Sequence, residues 1–300
     1  MVVSAGDVRG LSDFAAMIAI LGGLGAALSW AIATVVSTRS SRMIGAISVI
    51  AWVMTVGFAV ALFPALFTTP TSIEPLQILG LVVVGIANNV GLLLTYAALT
   101  IGRISIVTPI VATEGAASAV ISVLLGESLN LPTAIVLAAI ALGVILAAIE
   151  RSADAEQRTD ARHARRAVVL AISAAACFSV GLVVAGRLGT SLPIAWIVMA
   201  PRLVGMVGVA IPLALLGRLR LVRAAVPMVI VSGAMEAFGA GLYIVAAKDG
   251  VATAAVLGSQ FAAFSAVAAF LFFGERLARI QLVGVGLIFV GVTALAAVRS

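Results

Sequence analysis

Three ionisable side chains lie near the middle of long apolar segments of this sequence. They are Glu114, Arg202 and Glu236, and Glu236 is the one charged residue of the stretch VIVSGAMEAFGAGLYIVAA at residues 229–247. If these segments cross a bilayer, each charge costs at least about 2.5–3.5 kcal/mol on insertion scales and should face water, a partner or the protein interior. There a carboxylate or a guanidinium can hold an oppositely charged solute, and a carboxylate can also carry a proton.

Two interpretations of these three charges remain open. In the first, Arg202 pairs with Glu114 or Glu236, and the buried pair only holds helices together. In the second, the acid left over after one pairing binds a cationic amine, is neutralised by a proton or carries a coupling proton. Only the second interpretation gives the acids a part in moving a solute.

The elements that position these charges follow from the composition. The 300 residues are 63% hydrophobic and 10% charged, and their mean hydropathy is +1.26. Soluble domains are about 45–50% apolar and ~25% charged, so an all-α integral membrane protein is the class that fits. Near-continuous apolar runs predict helices of about 20 residues rather than barrel strands. We predict ten membrane-spanning helices, at residues 14–38, 45–67, 75–99, 105–125, 132–149, 167–187, 193–216, 225–247, 251–273 and 280–298.

Several other kinds of chemistry find no support in the sequence. Cys177 is the only cysteine and His163 the only histidine, so neither a disulfide, a metal site nor a histidine-based triad is predicted, and no cofactor is expected. No GxxxxGK[ST] loop occurs, so no nucleotide-driven motor is expected. The first apolar run exceeds the ~7–15-residue core of a secretory signal, and we expect it to be retained.

The two halves of the chain match each other when residue i is laid over residue i+148 without a gap. Trp30 then falls on Phe178, and the pairs Gly57/Gly205, Pro64/Pro212, Gly102/Gly250 and Gly126-Glu127/Gly274-Glu275 coincide. We predict two five-helix repeats, at residues 1–149 and 167–300, joined by a charged linker at residues 150–166. Because five is odd, the second repeat must enter the membrane from the opposite side, which is the inverted-repeat architecture of many carriers.

The positive charges near the predicted span ends are divided unequally between the two sides. One side carries Arg39, Arg42, Arg103, Arg151, Arg158, Arg162, Arg165, Arg166, Arg218, Arg220, Arg223, Arg276 and Arg279. The other side, with both termini, carries only Arg9, Arg187, Lys248 and Arg299. The positive-inside rule therefore places the linker in the cytoplasm and both termini outside. The net charge of +6 follows from this orientation, and no nucleic-acid partner is predicted.

Helical spacing extends the candidate site beyond the three charges. Glu236 overlays Asn88 in the repeat, and residues seven or four positions away share a helix face with a polar partner, as Tyr243 does with Glu236, Gln260 with Thr253 and Ser118 with Glu114. The candidate substrate-binding residues are Trp30, Asn88, Thr95, Glu114, Ser118, Arg202, Glu236, Tyr243 and Gln260. For Asn88, Asn89 and Gln260 an interhelical hydrogen bond is the alternative, and for Trp30 and Tyr243 it is packing.

The closing segments of the two halves resemble a known transporter family. They read VISVLLGESLNLPTAIVLAAIALGVILAA at residues 120–148 and AAFLFFGERLARIQLVGVGLIFVGVTALA at residues 268–296. These segments, with AALSWAIATVV, IVMAPRLVGM and ISIVTPIVATEGA, are similar to EamA-type transporters of the drug/metabolite transporter superfamily. The resemblance covers essentially the whole chain. It implies a ten-helix exporter of small metabolites, often amino acids or their relatives, in the bacterial inner membrane.

This resemblance and the duplication favour a secondary carrier over two alternatives, a passive channel and an integral-membrane enzyme. We expect a monomer in the lipid bilayer, with a small-molecule substrate and protons as a candidate coupling ion, and with both termini in the periplasm. Glu127 and Glu275 are expected to be structural, because each follows a Gly that can end a helix in a left-handed conformation. For Pro109, Pro201 and Pro212, a hinge and a static kink both remain open.

Overall fold

The protein is described by a computed structural model that covers residues 5–70, 72–102, 104–148 and 161–265, with single residues and pairs between 267 and 294. In this part of the chain the first repeat consists of five helices. They are α1 (Ala5–Ile44), α2 (Ala46–Leu66), α3 (Pro75–Ile101), α4 (Ile104–Leu124) and α5 (Leu131–Ala148). The second repeat contains α6 (Ala161–Leu188), α7 (Ile194–Gly205), α8 (Ile211–Leu215), α9 (Val226–Ala247) and α10 (Val251–Gly258).

Six of the described segments are long and apolar enough to cross a membrane. They are Met17–Ile44, Ala46–Leu66, Pro75–Ile101, Arg165–Leu188, Ile194–Leu215 and Arg223–Ala247. Shorter apolar helices occur at Ile110–Leu124, Leu131–Gly143 and Val251–Ser265. Most of the predicted span at 280–298 and residues 268–273 of the span at 251–273 lie outside the described residues, as do positions 149–160 of the predicted linker. Its last six residues, 161–166, begin α6.

The predicted span at residues 193–216 is not one continuous α-helix. Between α7 and α8, residues Met206–Ala210 form a π-helical turn, in which the Ile211 N–H donates to the Met206 carbonyl. Pro212 lies two residues after this turn, and because its ring lacks an N–H it cannot donate to the carbonyl four residues earlier. Pro64 is inside α2 at the corresponding place, and α2 is a continuous α-helix.

Helix α10 ends earlier than the sequence predicts. It stops at Gly258, and Ser259 and Gln260 form a turn before helical residues resume at 261. The Ser259 hydroxyl donates to the Val256 carbonyl at 2.8 Å, three residues back, so the side chain occupies an acceptor of the helix end. The seven-residue spacing between Thr253 and Gln260 therefore does not describe one uninterrupted helix face.

The turn between α4 and α5 confirms the expected role of Gly126. Its φ is +96°, and the Glu127 N–H donates to the Ser122 carbonyl at 3.0 Å, the six-to-one bond of a helix-ending turn. Glu127 Oε1 accepts from the Ala252 N–H at 3.1 Å, so its carboxylate lies at the N-terminus of α10 rather than of α5. Gly274 and Glu275, the matching pair, lie outside the described residues.

The two halves pack on each other through equivalent pairs of residues, in which each member is replaced by its counterpart from the other half. An ideal Cβ at Gly239 would lie 2.8 Å from Trp30 Nε1, and one at Gly91 would lie 2.7 Å from the Phe178 ring. Gly91 and Trp30 are 148 residues before Gly239 and Phe178. Two further contact pairs repeat the pattern, Gly85 on Val204 with Gly233 on Val56, and Gly205 on Met54 with Gly57 on Arg202. Equivalent residues thus pack equivalently in the two halves.

The contacts between helices show the same equivalence of the two halves. Helix α1 packs on α9 as α6 packs on α3, and α4 packs on α6 as α10 packs on α1. Helix α2 packs on its own counterpart α7, and α4 on its counterpart α10. The space at the centre of the molecule is therefore bounded by both halves.

Candidate functional site

A cavity lies among α1, α3, α4, α6, α7 and α9. It offers about 90 Å³ to the centres of water molecules, and because one water needs roughly 10–15 Å³ on this measure, several waters or one small molecule fit. Asn88 is the fourteenth of the 27 residues of α3, and Glu236 is the eleventh of the 22 residues of α9. The cavity therefore lies about halfway along the helices.

Seven of the nine residues predicted from the sequence line this cavity. They are Trp30, Asn88, Thr95, Glu114, Arg202, Glu236 and Tyr243. Six pairs of lining residues are related by the 148-residue shift, namely Trp30/Phe178, Thr34/Leu182, Asn88/Glu236, Leu92/Ala240, Thr95/Tyr243 and Tyr96/Ile244. The cavity wall is thus built from matching positions of the two repeats.

Arg202 is buried and is held by main-chain carbonyls. Its Nη1 donates to the Val198 carbonyl at 3.1 Å, within α7, and its Nη2 donates to the Glu236 carbonyl at 2.6 Å, across to α9. Its Nε has no hydrogen-bond partner among the described residues and lies beside Gly57 of α2, 3.4 Å from where a Cβ would be. The guanidinium therefore joins α7 to α9.

The side chains of Glu114 and Glu236 are both largely buried. Glu114 is 5% exposed and Glu236 is 7% exposed, and both line the cavity. The Glu236 carboxylate is attracted by the Arg202 guanidinium, and the Glu114 and Glu236 carboxylates repel each other. Arg202 thus donates its hydrogen bonds to main-chain oxygens, while its charge offsets that of Glu236, the pairing that the first interpretation of the sequence describes. Both acids line the cavity, where a ligand would meet them.

Aromatic rings supply much of the remaining wall. The ring centroids of Trp30 and Tyr243 are 5.9 Å apart, with an angle of 37° between the planes. Tyr96, Phe178 and Phe261 complete the set. The Tyr243 hydroxyl donates to the Leu182 carbonyl at 2.8 Å, which fixes its ring against α6. The apolar part of a ligand could pack against aromatic rings on several sides of the cavity.

The small polar groups of the wall are partly occupied by the protein itself. Thr95 Oγ1 donates to the Gly91 carbonyl at 2.8 Å, one turn back in α3. Asn88 Oδ1 is buried and has no hydrogen-bond partner among the described residues. Asn88 Oδ1 and the Tyr96 hydroxyl, which is also buried without a hydrogen-bond partner among the described residues, are therefore uncharged polar groups of α3 that can still bind a ligand.

Ser118 and Gln260 do not belong to the cavity wall. Ser118 Oγ donates to the Ser179 carbonyl at 3.4 Å and Ser179 Oγ donates to the Glu114 carbonyl at 3.2 Å, so the serine pair joins α4 to α6. Gln260 is 1% exposed and lies in the turn after α10. Both predictions assumed that a polar residue on a shared helix face must reach the same space.

Sequence reasoning did not assign Asn89 to one role, and the structure gives it a structural one. Its Nδ2 donates to the Gly85 carbonyl at 2.8 Å and to the Pro201 carbonyl at 2.7 Å, joining α3 to α7 next to Arg202. Phe178, Tyr96 and Phe261 were not predicted as lining. The repeat register contained the signal for Phe178, because it pairs this residue with Trp30.

Comparisons with known proteins agree with this architecture. The model of the EamA-like transporter family matches twice, at residues 17–149 and 165–297. A search of curated proteins finds no match. A solved structure, described as "Crystal structure of protein", is 16% identical with a TM-score of 0.73, covering 93% of this chain and 98% of the other. At that identity the likeness shows the fold alone. The two family matches together span most of the chain, which belongs to the EamA-like transporter family.

Proposed function

We propose that this membrane transporter of small solutes is a secondary carrier that exports amino acids or related amines by alternating access. The observation that carries the proposal is the central cavity, whose wall combines equivalent residues of both halves with two buried carboxylates. A site at the interface of two repeats can be opened first to one side and then to the other when the repeats exchange conformations.

Contacts between counterpart helices support an inverted arrangement of the halves. Trp52, near the beginning of α2, donates from Nε1 to the Arg220 carbonyl at 3.1 Å, in the segment that follows α8. Glu127, which follows α4, meets Ala252 at the beginning of α10. In both cases the end of one helix meets the start of its counterpart, as expected if the second repeat points in the opposite direction.

The setting we propose is the bacterial inner membrane, with the termini in the periplasm and the chain acting as a monomer. The arginines at 39, 42, 218, 220 and 223 support this orientation, because the first two lie in the last turns of α1 and the other three follow α8, the helix ends that we propose are cytoplasmic. Protons are the proposed coupling ion, and Glu114 and Glu236 are the groups that would carry them.

Counterflow in liposomes that contain the purified protein tests the proposal. Vesicles loaded with an unlabelled amino acid or amine are diluted into the same solute carrying a radiolabel, at two pH values. A carrier accumulates label transiently, whereas a passive channel only equilibrates it. The absence of counterflow for every member of a panel of amino acids and amines would reject the proposed function.

The acids provide the matched variants of this experiment. We expect Glu114→Gln and Glu236→Gln to lower the counterflow rate and to change its pH dependence, because each removes a charge from the cavity wall while keeping the side-chain size. Glu74→Gln makes the same change at an exposed position before α3 and should leave both unchanged. Unaltered rate and pH dependence in both cavity variants would exclude the acids from transport.

A further inference from the structure

We propose that the cavity selects a small organic amine as its cation, with an apolar or aromatic body, and discriminates against the amino acid that carries the same body plus a carboxylate. This inference rests on the proposed function and narrows its substrate class. It is carried by the charge balance of the wall, by the bonds of Arg202 and by the position of the aromatic rings.

The charge balance favours a cation. Glu114 and Glu236 contribute two carboxylates and Arg202 one guanidinium to the wall. If all three are charged, one negative charge remains, and a monocation neutralises it, whereas a zwitterion leaves it in place. In a poorly hydrated site an uncompensated charge is costly, so the ligand that neutralises the wall is favoured.

Hydrogen-bond chemistry points in the same direction. The two carboxylates are acceptors that line the cavity, and Asn88 Oδ1 is a buried acceptor without a partner among the described residues. A protonated primary amine has three N–H donors and no acceptor, so it can satisfy acceptors that the protein leaves open. A carboxylate offers only acceptors and would add a third anionic group to this wall.

Arg202 is poorly placed to hold a substrate carboxylate. A guanidinium binds a carboxylate best through two parallel N–H bonds. Here Nη1 and Nη2 already donate to the carbonyls of Val198 and Glu236, and Nε lies beside Gly57, which is not part of the cavity wall. The guanidinium has five N–H donors, and these two bonds use two of them while fixing its orientation between α7 and α9. Its charge is also already opposed by that of Glu236, which weakens its attraction for a second carboxylate.

The aromatic rings suit the body of such an amine. Both tyrosines of the chain, Tyr96 and Tyr243, line the cavity together with Trp30, Phe178 and Phe261. Ring faces attract an ammonium group within about 6 Å and pack against an aromatic body. A molecule the size of phenethylamine matches this combination, with its ammonium towards Glu114 and Glu236 and its ring among these aromatic residues.

Binding of matched ligands to the purified full chain in detergent tests the inference. Phenethylamine and phenylalanine differ by one carboxylate, as do tyramine and tyrosine, and isothermal calorimetry measures all four without leakage of a neutral amine through a bilayer. We expect each amine to bind at least about tenfold more tightly than its amino acid, the scale of losing one buried charge contact. Equal or tighter binding of the amino acids, or no binding of either amine, overturns the inference.

The acid variants give a second measurement. In Glu114→Gln/Glu236→Gln the preference for phenethylamine over phenylalanine should fall by at least about tenfold, because the wall no longer carries the anionic pair. Glu74→Gln should keep the wild-type preference. An unchanged preference in a double variant that elutes as a single folded species would overturn the inference. If the amines fail but another solute shows counterflow, the substrate class is wrong and the carrier stands. If no solute shows counterflow, the carrier itself is wrong.

Discussion

Glycine positions shape the candidate site as much as charged residues do. An ideal Cβ at Gly239 would lie 2.8 Å from Trp30 Nε1, and one at Gly258 would lie 3.0 Å from Trp30 Cζ3. The indole of Trp30 is thus packed directly against the backbone of α9 and the end of α10. Its place in the cavity wall depends on the absence of side chains at these two positions.

Substitution of Gly239 by alanine should disturb the site without changing its charge. A methyl group at this position would overlap the indole of Trp30, and overpacking of this kind costs typically about 1–3 kcal/mol. We expect Gly239→Ala to lower the thermal unfolding temperature in detergent and to weaken ligand binding. Gly241→Ala, two residues away in α9, meets only Val198 Cγ2 at 4.0 Å and should do neither. Similar behaviour of the two variants would contradict this assignment.

Single residues also show where the sequence was sufficient. Glu114, Arg202 and Glu236 were predicted to face the interior because the bilayer penalises a charge on any other face, and all three line the cavity. Ser118 carries no such penalty, since a hydroxyl is satisfied by one carbonyl, here that of Ser179. The sequence therefore predicted the positions of the charged side chains, which the bilayer penalises strongly, better than the position of a hydroxyl, which it penalises weakly. The binding role of the residues remains a prediction.

Among the elements, the turn after α4 connects the two halves at one end of the molecule. Arg187 Nη2, at the end of α6, donates to the Leu125 carbonyl at 2.8 Å, and Glu127 accepts from Ala252 at the start of α10. One short turn thus contacts two helices of the second repeat. Its carboxylate satisfies a main-chain donor that the first turn of α10 would otherwise leave open.

The contact between Glu127 and α10 can be removed selectively. We expect Glu127→Ala to destabilise the protein by about 0.5–2 kcal/mol, the usual value of a helix N-cap, because the Ala252 N–H loses its acceptor. Glu127→Gln keeps an acceptor oxygen and should lose less. Chemical denaturation in detergent followed by tryptophan fluorescence measures the difference. A loss in the glutamine variant as large as in the alanine variant would show that charge, not the hydrogen bond, is responsible.

Element boundaries explain why Gln260, one of two residues placed by a shared helix face, does not line the cavity. Gln260 was placed with the site because it is seven residues after Thr253, a spacing that keeps one face of a continuous helix. The backbone turns at Ser259 and Gln260 instead, so the face is interrupted. The sequence around Gly258 contains no proline, and the bond from Ser259 to Val256 became visible only in the structure.

At the scale of the whole molecule, equivalent residues of the two repeats make equivalent contacts with the other repeat. Gly239 on Trp30 mirrors Gly91 on Phe178, and this reciprocity extends to the helix pairs. The duplication itself was readable from the sequence, because the register of 148 residues needs no gap. The side of the membrane on which each loop lies is a separate property, which the accessibility of single cysteines to a labelling reagent can establish.

Labelling of single cysteines tests whether the repeats are inverted. Thr69 and Arg218 are exposed and follow equivalent spans, α2 and α8, so they lie on opposite sides of the membrane only if the halves point in opposite directions. In a Cys177→Ala background, we expect Thr69→Cys to react with an impermeant maleimide in intact cells. Arg218→Cys should react only after permeabilisation. Reaction of both under the same condition would refute the inverted arrangement, and a swapped result would reverse the orientation.

The π-helical turn at Met206–Ala210 has a geometric effect on everything that follows it. Each residue of an α-helix advances the azimuth by about 100°, so accommodating one additional residue in a turn rotates the continuing helix by about that amount. Beyond residue 210 the side chains of α8 thus point in other directions than those of their partners in α2, although no insertion separates the copies. The two copies therefore differ here in the winding of the helix and not in the number of residues.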